Sequence, residues 1–288
     1  MSKRFVETLH EGYAQSLSID KVLYDNASNL QHIQVFENKR FGRVLTLDGV
    51  VQTTQGDEFI YHEMLTHVPI LAHGNARHIL IVGGGDGGMA REVLRHQSVE
   101  TVTMVEIDER VIAFSKNYLP SLSDGAFDDP RLNLVIADGA DFMIESVDKF
   151  DVIIIDSTDP IGPGEALFTD HFYSHAKNRL ADGGVMVTQN GVPFLQPEVL
   201  QGTMHAFQRL FVDWGCYTAC IPKYAGGPMA FGWGALSPGG GRLRGGVPRL
   251  YGTPTPYSLL PTPCSLLPTP YSLLPTRCGR DEGDGFDA

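Results

Sequence analysis

Cysteine is scarce and late: the 288 residues hold four, and none precedes Cys216. That number and spacing do not make a disulfide framework, and Cys216 and Cys220 read as thiols buried in an apolar stretch. Long apolar runs are missing as well. No stretch approaches the roughly 18 consecutive apolar residues that a membrane-spanning helix needs. The opening stretch MSKRFVETLHEGYAQ lacks the apolar segment of a signal peptide. These gaps together predict a reducing, cytoplasmic setting. Basic charge is also short: 22 Lys and Arg face 34 Asp and Glu, a net charge of −12. That balance disfavours a nucleic-acid groove or an anionic membrane surface and suits a cationic partner. Against these absences stand 42% apolar and 19% charged residues, an ordinary globular composition.

Three zones are visible. Residues 1–60 read as strands and turns, with Phe41-Gly42 and Asp48-Gly49 punctuating apolar or alternating runs, so a small antiparallel β-domain is expected. Residues 61–234 change pattern. Apolar runs HILIV (78–82), VTMVEID (102–108), LNLVIAD (132–138), FDVIIID (150–156) and GGVMVTQN (183–190) alternate with helical stretches, one opened by Thr169 as a cap. Strands alternating with helices predict an α/β fold: a Rossmann-like, doubly wound parallel sheet whose strands are apolar on both faces. WGCYTACIP and PMAFGWG then read as an antiparallel pair closing the sheet.

Residues 235–288 differ in kind. They hold 9 of the 32 glycines and 9 of the 18 prolines. PTPYSLL, PTPCSLL and PTPYSLL follow one another from 254 to 274, and two prolines per repeat forbid a helix. The composition predicts a tail without regular structure. A repeated seven-base DNA unit, CCTACTC, would encode such a heptapeptide, which points to a translated tandem repeat after a frameshift near residue 235. A genuine Pro-rich linker or recognition tail is the alternative.

The central zone carries the chemistry. Gly83–Gly88 follows a strand and opens a helix, the setting of a nucleotide-binding loop. Glu106 ends the next strand, where an acid accepts hydrogen bonds from ribose hydroxyls, although a solvated strand end beside Asp108 reads the same way. Asp138-Gly139 ends the third strand. A carboxylate there can accept from an adenine amino group, but Asp-Gly is equally a common turn pair. Asp156 emerges from the fourth strand, with Asp159 following in a Pro- and Gly-rich loop. Buried strand-end carboxylates must be paired with cations or donors. Together with Asp86, in the middle of the glycine loop, they would make a pocket selective for amines.

In order along the chain, GGGDGG (83–88), MVEID (104–108), DGADF (138–142) and DSTDPIGPGEALF (156–168) carry a specific likeness, extended upstream by LDGVVQTTQGDEFIYHEMLTHVP (47–69). Over residues 5–234 the chain resembles the spermidine synthases, polyamine aminopropyltransferases. The resemblance implies a small β-domain on a methyltransferase-like Rossmann domain. It also implies the reaction: decarboxylated S-adenosylmethionine, a co-substrate, gives its aminopropyl group to putrescine, leaving spermidine and methylthioadenosine. No metal or resident cofactor and no nucleic-acid or membrane partner is implied, and the assembly expected is a homodimer or homotetramer.

Carried over residue by residue, the resemblance gives Gln31, Glu106, Asp138, Gly139 and Pro163 to the nucleoside. It gives Tyr61, His62, Asp86, Asp156, Ser157, Thr158 and Asp159 to the amine groups, with Asp156 as the catalytic proton acceptor. Tyr224 and Gln189 are expected to face the acceptor amine, and Trp233 either walls the site or packs. Asp86 has a particular part. It would attract the ammonium of the decarboxylated donor and repel the carboxylate of the undecarboxylated one. Two other readings stay open. One is a methyltransferase-class enzyme, against which Asp86 and the Asp156/Asp159 pair speak. The other is an inactive or unstable homologue, because the tail replaces helices that the family has there.

Overall fold

The computed structural model describes residues 3–27, 31–160 and 162–237. Of the expected tail, 235–288, all but residues 235–237 lies outside them.

The first 54 residues form two antiparallel sheets. β1 (Arg4–His10) and β2 (Tyr13–Ser18) make a hairpin; β3 (Lys21–Ala27), β4 (His32–Asn38), β5 (Gly42–Leu47) and β6 (Val50–Thr54) pair in sequence order. The β5–β6 turn is the anticipated Asp48-Gly49. Both residues have positive φ, 48° and 79°, which matches the right-handed twist of the strands it joins. Alternation splits the four-stranded sheet between two apolar clusters. Ile33, Val35, Leu45 and Leu47 pack with Leu119 and Leu122, while Phe36, Val44 and Val51 pack with Phe5 and Ile19 of the hairpin layer.

After α1 (Glu58–His73) come β7 (His78–Gly83), α2 (Gly88–Leu94), β8 (Thr101–Glu106), α3 (Glu109–Tyr118), the single turn α4 (Pro120–Ser123) and β9 (Leu132–Ile136). Then follow α5 (Gly139–Glu145), β10 (Phe150–Asp156), a 3-10 segment (Gly162–Phe168), α6 (Asp170–Arg179), β11 (Leu180–Gln189), α7 (Pro197–Leu210), β12 (Asp213–Ala219) and β13 (Met229–Ala235). Thr169 caps α6 as anticipated, its side chain accepting from the Phe172 amide.

The seven strands lie in the order β12-β13-β11-β10-β7-β8-β9. β7 to β11 are mutually parallel, and β13 pairs antiparallel with both β11 and β12. Successive residues face opposite sides, so one strand feeds two cores. Ile79 and Ile81 of β7 join Leu65, Met89, Val93 and Phe231, whereas Leu80 and Val82 join Met143, Phe172, Tyr173 and Phe207. Each fully buried Ile or Leu is worth about 1.5–3 kcal/mol over an exposed one. The chain order reverses between β7 and β10, and the crevice at the carboxyl ends of those strands is where open α/β sheets take ligands.

Two expectations are corrected. β9 is an edge strand rather than a covered one: Leu134 and Ile136 are 36% and 46% exposed. The thiols are not buried as a pair; Cys220 lies just beyond β12 and is exposed, and Cys216 is half-buried.

Candidate active site

Asp156 is the last residue of β10 and lies in register with Gly83 of β7, at the reversal point of the sheet. Its Oδ1 accepts a 2.6 Å hydrogen bond from the Tyr61 hydroxyl. Burial is the main influence on this carboxyl and pushes it up to about 6; the nearby Asp86 charge adds to that, while His62, Tyr61 and Lys223 oppose it.

Asp86 follows the strand in the glycine loop. Its Oδ1 accepts from the Gly88 amide at the start of α2 (2.8 Å), and its Oδ2 stands 3.4 Å from His62 Nε2. Burial alone would raise this acid. The His62 imidazolium and the Gly88 amide outweigh burial and bring it down to about 2. His62 is buried in turn, yet the charges of Asp86 and Glu58 hold it protonated, with its pKa raised to about 10. Its Nδ1 lies 2.5 Å from Glu58 Oε2, and Arg91 clamps both Glu58 oxygens at 3.0 Å. A chain of alternating charge therefore runs Asp86, His62, Glu58, Arg91, built from α1 and α2. Gly88 makes this packing fit: a Cβ there would lie 2.3 Å from the His62 ring.

Asp159 joins a cavity with Ser157, Thr158, Gln189, Tyr224, Gln52 and His10 among its walls. Gln189 donates to the carbonyls of Ser157 (3.1 Å) and Thr158 (3.2 Å) and accepts from the Gly191 amide (2.8 Å), which fixes the loop after β10. Burial raises the Asp159 carboxyl, with Gln196, His10 and Gln189 opposing. Among the described residues, Ser157 Oγ is buried with no hydrogen-bond partner. Tyr224 hydroxyl donates to the Gln52 carbonyl (3.1 Å).

The other end of the crevice gathers a second group. Glu106, last in β8, accepts from the Asp108 amide (3.0 Å), and burial raises it to about 7. The glycine loop passes over it, so a Cβ at Gly85 would come 2.8 Å from Glu106 Oε2. Gln31 reaches in from just before β4 and donates to Asp108 Oδ2 at 3.1 Å. Asp138 caps α5, accepting from the amides of Ala140 and Asp141. Gly139 is required by packing, since a Cβ would lie 2.4 Å from Val82 Cγ1. Pro163 falls in the 3-10 segment. Trp233 packs: it is buried in the core, its indole against Gly215 of β12.

Three partners carry no sequence expectation. Glu58 and Arg91 complete the His62 chain, and Lys223 is buried against Tyr61 and Tyr224. The Asp57 carboxylate accepts from the Lys223 amide at 2.6 Å, a contact across 166 residues that no local signal announces. No group of three or more His, Cys, Asp or Glu side chains is arranged to hold a metal among the described residues.

With this geometry in hand, the likenesses to known proteins can be placed. Residues 58–238 match the spermine/spermidine synthase domain, and residues 5–55 match the spermidine synthase tetramerisation domain. The polyamine aminopropyltransferase of Ruegeria sp. is 67% identical over 231 residues, which cover 80% of this chain and 81% of that one. Polyamine aminopropyltransferase 1 of Pseudomonas aeruginosa is 58% identical over the same shares. A crystal structure of spermidine synthase in complex with the transition state analogue AdoDATO superposes with a TM-score of 0.79 at 37% identity, over 82% of each chain. Spermidine synthase from Thermotoga maritima gives 0.76 at 35% identity, over 82% of this chain and 81% of that one. With agreement running through both the β-domain and the sheet that carries Asp156, the chain belongs to the spermine/spermidine synthase family and is a polyamine aminopropyltransferase.

Proposed function

We propose that the protein moves the aminopropyl group of decarboxylated S-adenosylmethionine to putrescine, releasing methylthioadenosine and spermidine. The observation that carries this reading is the pair of buried carboxylates, Asp86 and Asp156, facing the reversal point of the sheet with Tyr61 and His62 around them. An anionic crevice of this kind suits two cationic substrates and has no place for a carboxylate-bearing donor.

In this reading the amine nitrogen attacks the aminopropyl carbon next to sulfur. The new C–N bond forms as the C–S bond breaks, and its electron pair neutralises the sulfonium. The departing proton goes to Asp156, whose raised pKa makes it a better base than an exposed carboxylate. Tyr61 holds one oxygen of that carboxylate and so aims the other. A sulfonium is already a good leaving group, so alignment and exclusion of water are the main tasks left to the protein.

Asp86 would take the donor's ammonium, with Asp159, Ser157 and Thr158 around the acceptor. Glu106 would accept from the ribose hydroxyls, and Asp138, Gly139, Gln31 and Pro163 would surround the base and sugar. The donor is a co-substrate, and this chemistry draws on no metal. We read the working state as a homodimer or homotetramer in the cytoplasm; the match to a tetramerisation domain supports an assembly.

The test is direct. Purified full-length chain, decarboxylated S-adenosylmethionine and putrescine are expected to give spermidine and methylthioadenosine in equal amounts by mass spectrometry. Folded protein that binds methylthioadenosine but forms no spermidine would overturn the proposal.

A further inference from the structure

Lys223 sits where a lysine is rarely found. Its side chain is only 2% exposed. Its amide is fixed by Asp57 (2.6 Å), and its Nζ donates to the Gln52 carbonyl at 2.7 Å. The ammonium stands 4.7 Å from the centre of the Tyr224 ring and 5.5 Å from that of Tyr61. Both rings belong to the site: Tyr61 donates to Asp156, and Tyr224 and Gln52 line the cavity that also holds Asp159. Aromatic faces near carboxylates are the usual means of gripping an alkylammonium. Here they grip the protein's own. A lysine side chain is a four-carbon chain ending in an ammonium, the same chemistry as one end of a linear diamine. Burial lowers the Lys223 pKa, while the charges of Asp57, Asp86, Asp156 and Glu58 favour its ammonium form.

We propose that Lys223 is a specificity-determining residue of the acceptor site: its ammonium occupies the position against the Tyr61 and Tyr224 rings and disfavours a second charged nitrogen nearby, and so reduces the preference for a diamine over a monoamine of equal length. The inference rests on the aminopropyl-transfer reading. Asp159, on the cavity that Tyr224 and Gln52 also line, is then the anchor left for the acceptor's far nitrogen, working against the positive charge that Lys223 sets behind those two residues.

The experiment compares kcat/KM for 1,4-diaminobutane and butylamine, with decarboxylated S-adenosylmethionine as donor, in the native chain, Lys223→Met and Lys223→Arg. Removing the charge is expected to widen the diamine-to-monoamine ratio by about tenfold or more, the scale of one unit charge acting over a few ångströms in a partly screened site. The change should come through KM for the diamine, and Lys223→Arg should keep the native ratio. A ratio unchanged or lowered in Lys223→Met overturns the inference, since a purely structural lysine would change stability without changing that ratio. If the Met variant does not fold, the native chain decides alone. A diamine preference below about a hundredfold, roughly 2.7 kcal/mol, supports the inference, and a larger one overturns it. No product with either amine from folded protein removes the aminopropyl-transfer reading, and this inference falls with it. Product with an unaltered ratio removes the inference only.

Discussion

The two ends of the crevice are both acidic, yet they hold their acids in opposite ways. At one end Asp86 is matched by a histidine cation, with Glu58, Arg91 and Lys223 extending the network. At the other end Glu106, Asp108 and Asp138 are held by backbone amides and by the Gln31 side chain. The first arrangement fixes charge, because each ion holds its neighbour ionised. The second fixes direction, because amides orient a carboxylate without placing a full counter-charge beside it. Selection among amines is a question of charge, and recognition of a sugar is a question of hydrogen-bond direction. On the proposed function, each end has the device suited to its task.

The sharpest way to break this comparison is to remove charge at Asp156 while leaving its shape. Asp156→Asn is expected to lower kcat by about 10²–10⁴-fold, the usual range for a lost general base. Methylthioadenosine binding, measured by calorimetry, should stay within a few-fold. Turnover near the native rate would remove Asp156 from the proton transfer.

The ionic end should also show itself in stability. His62 has a folded pKa near 10 against an ordinary 6.5, so it binds its proton more tightly in the folded chain. Its contribution is then fully present below about pH 6.5 and is lost as pH rises through 10. The unfolding free energy from urea titrations should fall between pH 7 and 10 with a slope of up to about 1.4 kcal/mol per pH unit. In His62→Gln, weaker at neutral pH, that slope should largely vanish. An equal slope in the variant would show that the charge chain does not govern this window.

Asp86 tests selectivity rather than rate. Asp86→Asn should narrow the preference for decarboxylated over intact S-adenosylmethionine, read from competitive inhibition by the intact compound. One repelling charge lost predicts a change of about ten- to a hundredfold, or about 1.4–2.8 kcal/mol. An unchanged ratio would assign the discrimination to some other group.

Much of this was legible in the sequence, and for a physical reason: strand ends. Asp156, Glu106 and Asp138 each close an apolar run, and an acid in that position needs no tertiary information to be noticed. Asp48-Gly49 and Thr169 were legible because turn and cap chemistry is local. What went unread depends on distant pairing. Glu58 lies at the start of α1, a helix interrupted in pattern by Pro69, and its meaning comes from Arg91, 33 residues on. Lys223 sits in a short apolar-to-polar segment after β12 and looks like an ordinary surface lysine until Gln52 and Asp57 close over it. β9 and Cys220 were misjudged because edge position is a property of strand order, which the hydropathy of a single strand does not encode.

The smallest effect is expected at the Glu106 end, and it separates the two devices most cleanly. Burial, with the charges of Asp108 and Asp156 adding to it, raises Glu106 to about 7, although the amides of Asp108 and Ile107 oppose the shift. Around pH 8 the carboxylate is ionised and can accept from two hydroxyls at once. Below pH 7 it carries a proton that must be given up first, so methylthioadenosine affinity should weaken by up to about tenfold per pH unit. Glu106→Gln cannot titrate; its affinity should be lower at pH 8 and nearly flat from pH 8 to 6, by calorimetry at matched ionic strength. The ionic end should show no counterpart in that range at Asp86, whose pKa near 2 keeps it ionised throughout. A native profile that is flat between pH 6 and 8 would mean that amide bonding does set the proton on Glu106, and the distinction between the two ends would fail there.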